Sequence, residues 1–206
     1  MFISFEGVDQ CGKTTISKLI YDYFAKKNIR IHLSREPGGE IIAEKIRAIL
    51  LAKNHEILPW TEALLYIASR YQNYFKILKP KLDDNYLVIC DRFLDSTLAY
   101  QGNARNLDIK ALSYLQTKIL GFKNPDLTIV LTLNYQEMKK RFLTKNKNRL
   151  DIAMEEKTFF NNVVKFYQNL AKNEPKRVVL VDASLPITKV FQKCLAIINK
   201  KRQEND

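Results

Sequence analysis

The stretch FISFEGVDQCGKTTISKLIYDY, residues 2–23, decides the fold. Phe2 to Glu6 is a short apolar run suited to a strand. Gly7-Val8-Asp9-Gln10-Cys11-Gly12-Lys13-Thr14 then satisfies G-x-x-x-x-G-K-[ST] in full, and Ile16, Leu19, Ile20 and Tyr23 follow at helical spacing. Strand, glycine-bounded loop and helix in that order make a phosphate-binding loop. The glycines let main-chain N–H groups wrap a polyphosphate, and the helix N-terminus adds partial positive charge. Lys13 reaches a transferring phosphoryl group, and Thr14 offers a hydroxyl to Mg²⁺. Residues Gly7 to Thr14, with Thr15 beside them, therefore form the nucleotide side of a site. Asp9 stands apart from this logic, because a carboxylate in an anion-binding loop repels phosphate unless it points toward a hydroxyl or cation of a second ligand.

Outward from this loop the same alternation repeats. Arg30 to Ser34, Tyr86 to Cys90, Leu127 to Leu133 and Arg177 to Asp182 are further apolar runs bounded by polar or turn residues. Helical stripes lie between them: Leu64, Ala68, Tyr71, Phe75 and Leu78; Leu112, Leu115 and Ile119; Met138 and Phe142. The pattern predicts an α/β fold, a P-loop three-layer sandwich whose five-stranded parallel sheet is flanked by helices carrying those stripes as core faces. Pro59 and Pro186 open helices, and Gly121 with Pro125 closes one. No repeat, linker or low-complexity segment divides residues 1–206, so one domain is expected, with a lid near 139–155 and a polar tail over 199–206 that frays.

Composition narrows the setting. The 206 residues are 46% hydrophobic, which excludes a disordered polymer, and carry 34 Lys and Arg against 22 Asp and Glu, a net charge of +12 that favours anionic partners. Cys11, Cys90 and Cys194 are far apart and lack metal-ligand spacing, which suits a reducing compartment. No apolar run is long enough to span a bilayer and no signal peptide is recognisable, so a cytoplasmic location without a membrane partner is expected.

Asp91 and Arg92 end the third apolar run, at the sheet edge where open parallel sheets hold ligands. Asp91 suits the Walker-B role of holding Mg²⁺, and Arg92 can neutralise a phosphate in transit. Asp91-Arg92-Phe93-Leu94-Asp95-Ser96-Thr97-Leu98-Ala99-Tyr100-Gln101-Gly102 resembles the DR[YF]-x-x-S-x-x-AYQG signature of thymidylate kinases. Arg35-Glu36-Pro37-Gly38-Gly39 is similar to the REPGG element of that family, and Pro125-Asp126-Leu127-Thr128 to its PDLT strand start. With the phosphate loop these motifs cover most of the chain, and the resemblance is to the bacterial type.

The resemblance implies ATP-dependent phosphorylation of dTMP to dTDP with Mg²⁺ at Thr14 and Asp91, by in-line transfer, in a homodimer. It implies that Tyr66 stacks on thymine and that Arg70, four residues on and so on the same helix face, binds the O4 atom. A guanidinium only donates hydrogen bonds and is mismatched to the amino group of cytosine. Asp9 would accept the sugar 3′-hydroxyl, Tyr100 crowd the 2′ position and Gln101 read the base edge. Pro37, Arg47 and Arg92 border the acceptor monophosphate, and Arg141 and Ala183 border adenine. Lys13, Arg92 and the lid residue Arg149 would carry the catalytic charge. Four features depart from the family pattern: Gln10 replaces Gly, Cys11 replaces Ala or Ser, Glu40 puts a charge near the acceptor site in place of Thr, and the lid reads Asn148-Arg149-Leu150-Asp151-Ile152. The alternatives are a kinase for another nucleoside monophosphate or a deoxynucleoside, and a nucleic-acid-dependent ATPase; the last leaves residues 91–102 unexplained, so no nucleic-acid partner is expected.

Overall fold

Each apolar run forms a strand within a residue of its expected bounds, and the strands pair in parallel as one sheet. The computed structural model describes residues 1–52, 56–145 and 157–204. In chain order its elements are β1 (Phe2–Gly7), α1 (Lys13–Ala25), β2 (Ile31–Arg35), α2 (Ile41–Leu51), α3 (Pro59–Asn73), α4 (Lys79–Asp83) and β3 (Leu87–Asp91). There follow α5 (Leu94–Thr97), α6 (Ile109–Tyr114), β4 (Leu127–Thr132), α7 (Tyr135–Lys145), α8 (Lys157–Asn173), β5 (Val178–Asp182) and α9 (Ile187–Gln203). Wider, π-type turns at Tyr74–Leu78, Leu98–Ala104 and Leu115–Ile119 extend α3, α5 and α6.

The strand order is β2-β3-β1-β4-β5, which puts β1 at the centre. Phe5 pairs with Asp91 and with Ile129, so the loop after β1 opens in mid-edge beside the end of β3. β1 is buried along its whole length. Side chains alternate across a strand, so Phe2, Ser4 and Glu6 share one face of the sheet and Ile3 and Phe5 the other. Ile3 and Phe5 pack in one core with Ile16, Ile20 and Phe24 of α1, and Phe2 packs in a second with Val88, Phe93 and Leu112. No helix among the described residues is long and apolar enough to cross a membrane.

Three expectations change. Most of the stripe along α3 does not face the core: Leu64 is 50% exposed, Tyr71 46% and Phe75 36%, whereas its last member, Leu78, is buried as expected, together with Ala63, Ile67 and Tyr74. The face turned inward also carries the buried polar residues Ser69, Arg70 and Asn73, so the apolar stripe is a second, outward face. Ile119, read as core, is also exposed. The polar end does not fray at Asn199, because α9 continues to Gln203, with Ile198 fully buried and the Arg202 guanidinium 5.1 Å from the Phe24 ring centroid. Of the expected lid, Lys139, Lys140 and Arg141 belong to helix α7.

Candidate functional site at the carboxyl edge of the sheet

The phosphate loop is fixed by its first glycine. Gly7 has φ +129°, and a Cβ there would collide with the Leu131 carbonyl oxygen of β4. Gly12 has φ +94° with open space around its missing Cβ, room for a polyphosphate to approach the backbone. Gln10, where the resembled family has Gly, holds the left-handed φ of +61° that glycine adopts freely. The Lys13 ammonium curls into the loop and donates to the Gly7 and Val8 carbonyls at 3.1 and 2.8 Å, with Cys11 Sγ 3.6 Å away. Thr15 is exposed on the first turn of α1. Thr14 Oγ1 donates to Asp91 Oδ2 at 2.5 Å. Two hard oxygen donors side by side at the loop suit Mg²⁺, which binds through few protein oxygens and completes its shell with phosphate and water. Among the described residues no group of three or more His, Cys, Asp or Glu is placed as an all-protein cage.

Arg92 links this loop to the second half of the site. It follows β3 directly, in a left-handed conformation with φ +72°, and its Nη2 donates to Asp9 Oδ1 and, at 3.2 Å, to the Tyr100 hydroxyl. Its Nη1 donates to Ser96 Oγ and to the Gly7 carbonyl, each at 3.2 Å, and the guanidinium lies 4.8 Å from the Tyr100 ring centroid. Tyr100 also donates to the Gly7 carbonyl, at 3.3 Å. Asp9 thus turns away from the loop's anion cradle. Burial works to raise its pKa, but Arg92 and then Lys13 bring it below the ordinary aspartate value.

Arg70 is 1% exposed, and its guanidinium is gripped from four sides. Nε donates to Glu36 Oε2 at 2.6 Å, Nη1 to Thr97 Oγ1 at 2.9 Å and to Gln116 Oε1, and Nη2 to the Phe93 carbonyl at 3.0 Å. Of its five N–H groups four are taken, which leaves one on Nη2. Burial raises the Glu36 carboxyl above its usual pKa, with Arg70 pulling it back. Tyr66, one turn earlier on α3, lies within electrostatic reach of Glu62, Arg92, Asp9 and Arg47. Arg47 Nη1 donates to the Pro37 carbonyl at 2.7 Å. Gln101 is turned to α3, its Nε2 donating to Glu62 Oε1 at 3.1 Å, and Arg105 pairs with the other Glu62 oxygen at 2.6 Å. Hydrogen bonds thus gather Asp9, Arg92 and Tyr100 beside the loop, with Tyr66 in electrostatic reach of Asp9 and Arg92, Arg47 against Pro37, and Arg70 on the Phe93 carbonyl next to Arg92.

Glu40 does not leave a loose charge near the acceptor side. It caps α2, accepting from the Ile42 and Ala43 N–H groups at 2.7 and 3.4 Å, and Lys76 stands 3.6 Å from its other oxygen. Across the sheet, Arg141 Nη2 donates to the Ala183 carbonyl at 2.8 Å, so the two residues expected beside adenine are in contact. Arg149 lies outside the described residues. Sequence reasoning missed Glu36, Thr97 and Gln116 as partners of Arg70. Glu36 lies inside the Arg35–Gly39 motif and Thr97 inside the Asp91–Gly102 motif, and Gln116 is a polar residue between the apolar stripe positions Leu115 and Ile119.

Comparison with known proteins identifies relatives of this chain. The thymidylate kinase family model matches residues 5–194. The thymidylate kinase of Mycoplasma capricolum is 44% identical over 210 aligned positions, covering 100% of this chain and 98% of that protein. That of Mesoplasma florum is 42% identical, covering 98% and 96%. The crystal structure of thymidylate kinase from Ehrlichia chaffeensis superposes with a TM-score of 0.78 at 32% identity, covering 97% of this chain and 98% of that one. The chain belongs to the thymidylate kinase family.

Proposed function

We infer that this nucleoside monophosphate kinase transfers the γ-phosphoryl group of ATP to dTMP, giving ADP and dTDP, and that the residues at the carboxyl edge divide the work. One observation carries the reading: Lys13 from the donor loop and Arg92 and Tyr100 from the acceptor side all donate to the same Gly7 carbonyl, at 3.1, 3.2 and 3.3 Å. Groups for two ligands thus meet within one side-chain reach, as in-line transfer requires.

The attacking oxygen belongs to a monophosphate whose second pKa is about 6, so the chain needs no general base for it. Lys13 and Arg92 offset charge on the transferring phosphoryl. Thr14 and Asp91 are the residues that would hold Mg²⁺, which when bound neutralises charge on the phosphates. Arg47 and Pro37 border the acceptor phosphate, Asp9 accepts the 3′-hydroxyl, and Tyr100 fills the space a 2′-hydroxyl would need. Tyr66 stacks on the pyrimidine, Gln101, oriented by Glu62, reads its edge, and the remaining N–H of Arg70 meets the 4-oxo group. Arg141 and Ala183 border the adenine. Arg149 is the candidate for further catalytic charge.

The outward apolar stripe on α3, with Trp60 44% exposed at its start, supports a homodimer in which a second copy covers it. The buried, unpaired cysteines support a cytoplasmic setting. Coupled ADP-release assays over dTMP, dUMP, dCMP, UMP and thymidine test the function. Turnover with dTMP should exceed that with dCMP by roughly 10³-fold or more, because a donor-only pocket leaves the cytosine amino group unpaired. Equal turnover with dCMP would overturn the base-reading argument.

A further inference from the structure

Arg92 is held from behind as well as in front. Its Nη1 donates to Ser96 Oγ at 3.2 Å, and Ser96 in turn donates to Glu6 Oε2 at 2.5 Å. The Tyr167 hydroxyl, from α8, donates to the same Glu6 oxygen at 2.8 Å and lies 3.3 Å from Ser96 Oγ. The other Glu6 oxygen accepts the Phe93 N–H at 2.7 Å, fixing the backbone next to Arg92. Glu6 is fully buried and Tyr167 is 2% exposed. None of these groups touches the loop's cradle, so the reaction described above leaves this buried cluster unexplained.

A hydroxyl has one proton and two lone pairs. Because Glu6 takes the proton of Ser96, the lone pairs of Ser96 are left for Arg92, and the chain of hydrogen bonds has one direction. We propose that Tyr167, acting through Glu6 and Ser96, is a positioning residue that aims the Arg92 guanidinium at the acceptor phosphate, so that helix α8 sets the geometry of the acceptor site. The inference rests on the reading of Arg92 as a group that binds the acceptor. Further contacts tie α8 to the acceptor-reading stretch: Asn103 Nδ2 donates to the Asn162 carbonyl at 2.8 Å, and Phe159 meets the Tyr100 ring edge-on at 6.0 Å. Burial and then the Asp95 carboxylate push Glu6 up to about 7, while Ser96, Arg92 and Tyr167 pull it down, so the three partners serve to keep the accepting form available.

The test is a double-mutant cycle read as Kd for dTMP by calorimetry, which needs no turnover. Tyr167→Phe keeps the ring and removes the hydroxyl. It should weaken dTMP binding roughly tenfold, the loss expected for one hydrogen bond to a charged group, and leave the Kd of a non-hydrolysable ATP analogue within about twofold. In an Arg92→Ala background the same change should shift dTMP binding by less than about twofold. Ser96→Ala cuts the same chain at another link, should weaken dTMP binding by a similar factor, and decides the matter if Tyr167→Phe fails to fold. An unchanged Kd for dTMP, or an equal loss in the Arg92→Ala background, overturns the proposal. If Arg92→Ala alone leaves dTMP binding intact, the reading of Arg92 fails and the proposal falls with it.

Discussion

Replacing Arg70 with Ala should cost both stability and acceptor choice, and the stability cost follows from its surroundings. Arg70 and Glu36 each have side chains 2% exposed and stand 2.6 Å apart, with Thr97, Gln116 and the Phe93 carbonyl on three of the other four Arg70 N–H groups. Removing the guanidinium strands a buried carboxylate, a change that costs about 3–5 kcal/mol. For a chain of this length that corresponds to a fall in Tm of roughly 6–20 °C. The deficit should depend on pH. Glu36 already has a raised pKa, from burial, and loses its main counterweight in the variant, so the pKa rises further. A raised carboxyl pKa contributes stability that is present below the unfolded value of 4.5 and lost as pH rises through the folded value. Differential scanning calorimetry should therefore show the gap from wild type widening from pH 5 to pH 8. Adding Glu36→Gln to Arg70→Ala should narrow the gap at pH 8, because the stranded charge is gone. A fall in Tm below about 3 °C, or a gap independent of pH, would refute the reasoning.

Lys13→Ala should lower kcat by about 10³-fold or more in the ADP-release assay with dTMP, since it removes charge from the transferring phosphoryl; full activity would mean that the loop does not hold the donor. Glu6→Gln should change how stability varies with pH. Glu6 sits at about 7 in the fold against an ordinary 4.5, so wild type should lose up to about 3 kcal/mol relative to the variant between those values as pH rises, measured by urea denaturation. Leu64→Glu, in the middle of the outward α3 stripe, should convert a dimer to monomers in sedimentation velocity without lowering Tm by more than a few degrees; an unchanged dimer would place the interface elsewhere.

The sheet was legible because its strands read as short apolar runs bounded by polar or turn residues, the central β1, β3 and β4 being buried nearly throughout. The loop at Gly7 was legible because its spacing serves phosphate directly. The face of α3 was not, because periodicity reports that a stripe is apolar and says nothing about what covers it; Leu64, Tyr71 and Phe75 look the same whether the partner is a core or another chain. From sequence Arg70 is a ligand-binding charge, yet most of its donors go to Glu36, Thr97 and Gln116, residues 34, 27 and 46 positions away, pairings that no local pattern encodes. Glu6 carried a signal that went unused: a carboxylate at the end of an apolar strand run, with its neighbours inside, must find buried partners. The polar composition of residues 199–203 suggested fraying, but Ile198 and the Arg202–Phe24 contact hold that turn in place.

The most direct test of the account is a crystal structure with a bisubstrate analogue, thymidine joined to adenosine through a chain of phosphates. The account places its phosphates from the loop amides to Arg92 and its pyrimidine over Tyr66, with the 4-oxo group at Arg70 Nη2. A pyrimidine bound away from Tyr66, or a phosphate chain that never reaches Arg92, would contradict it.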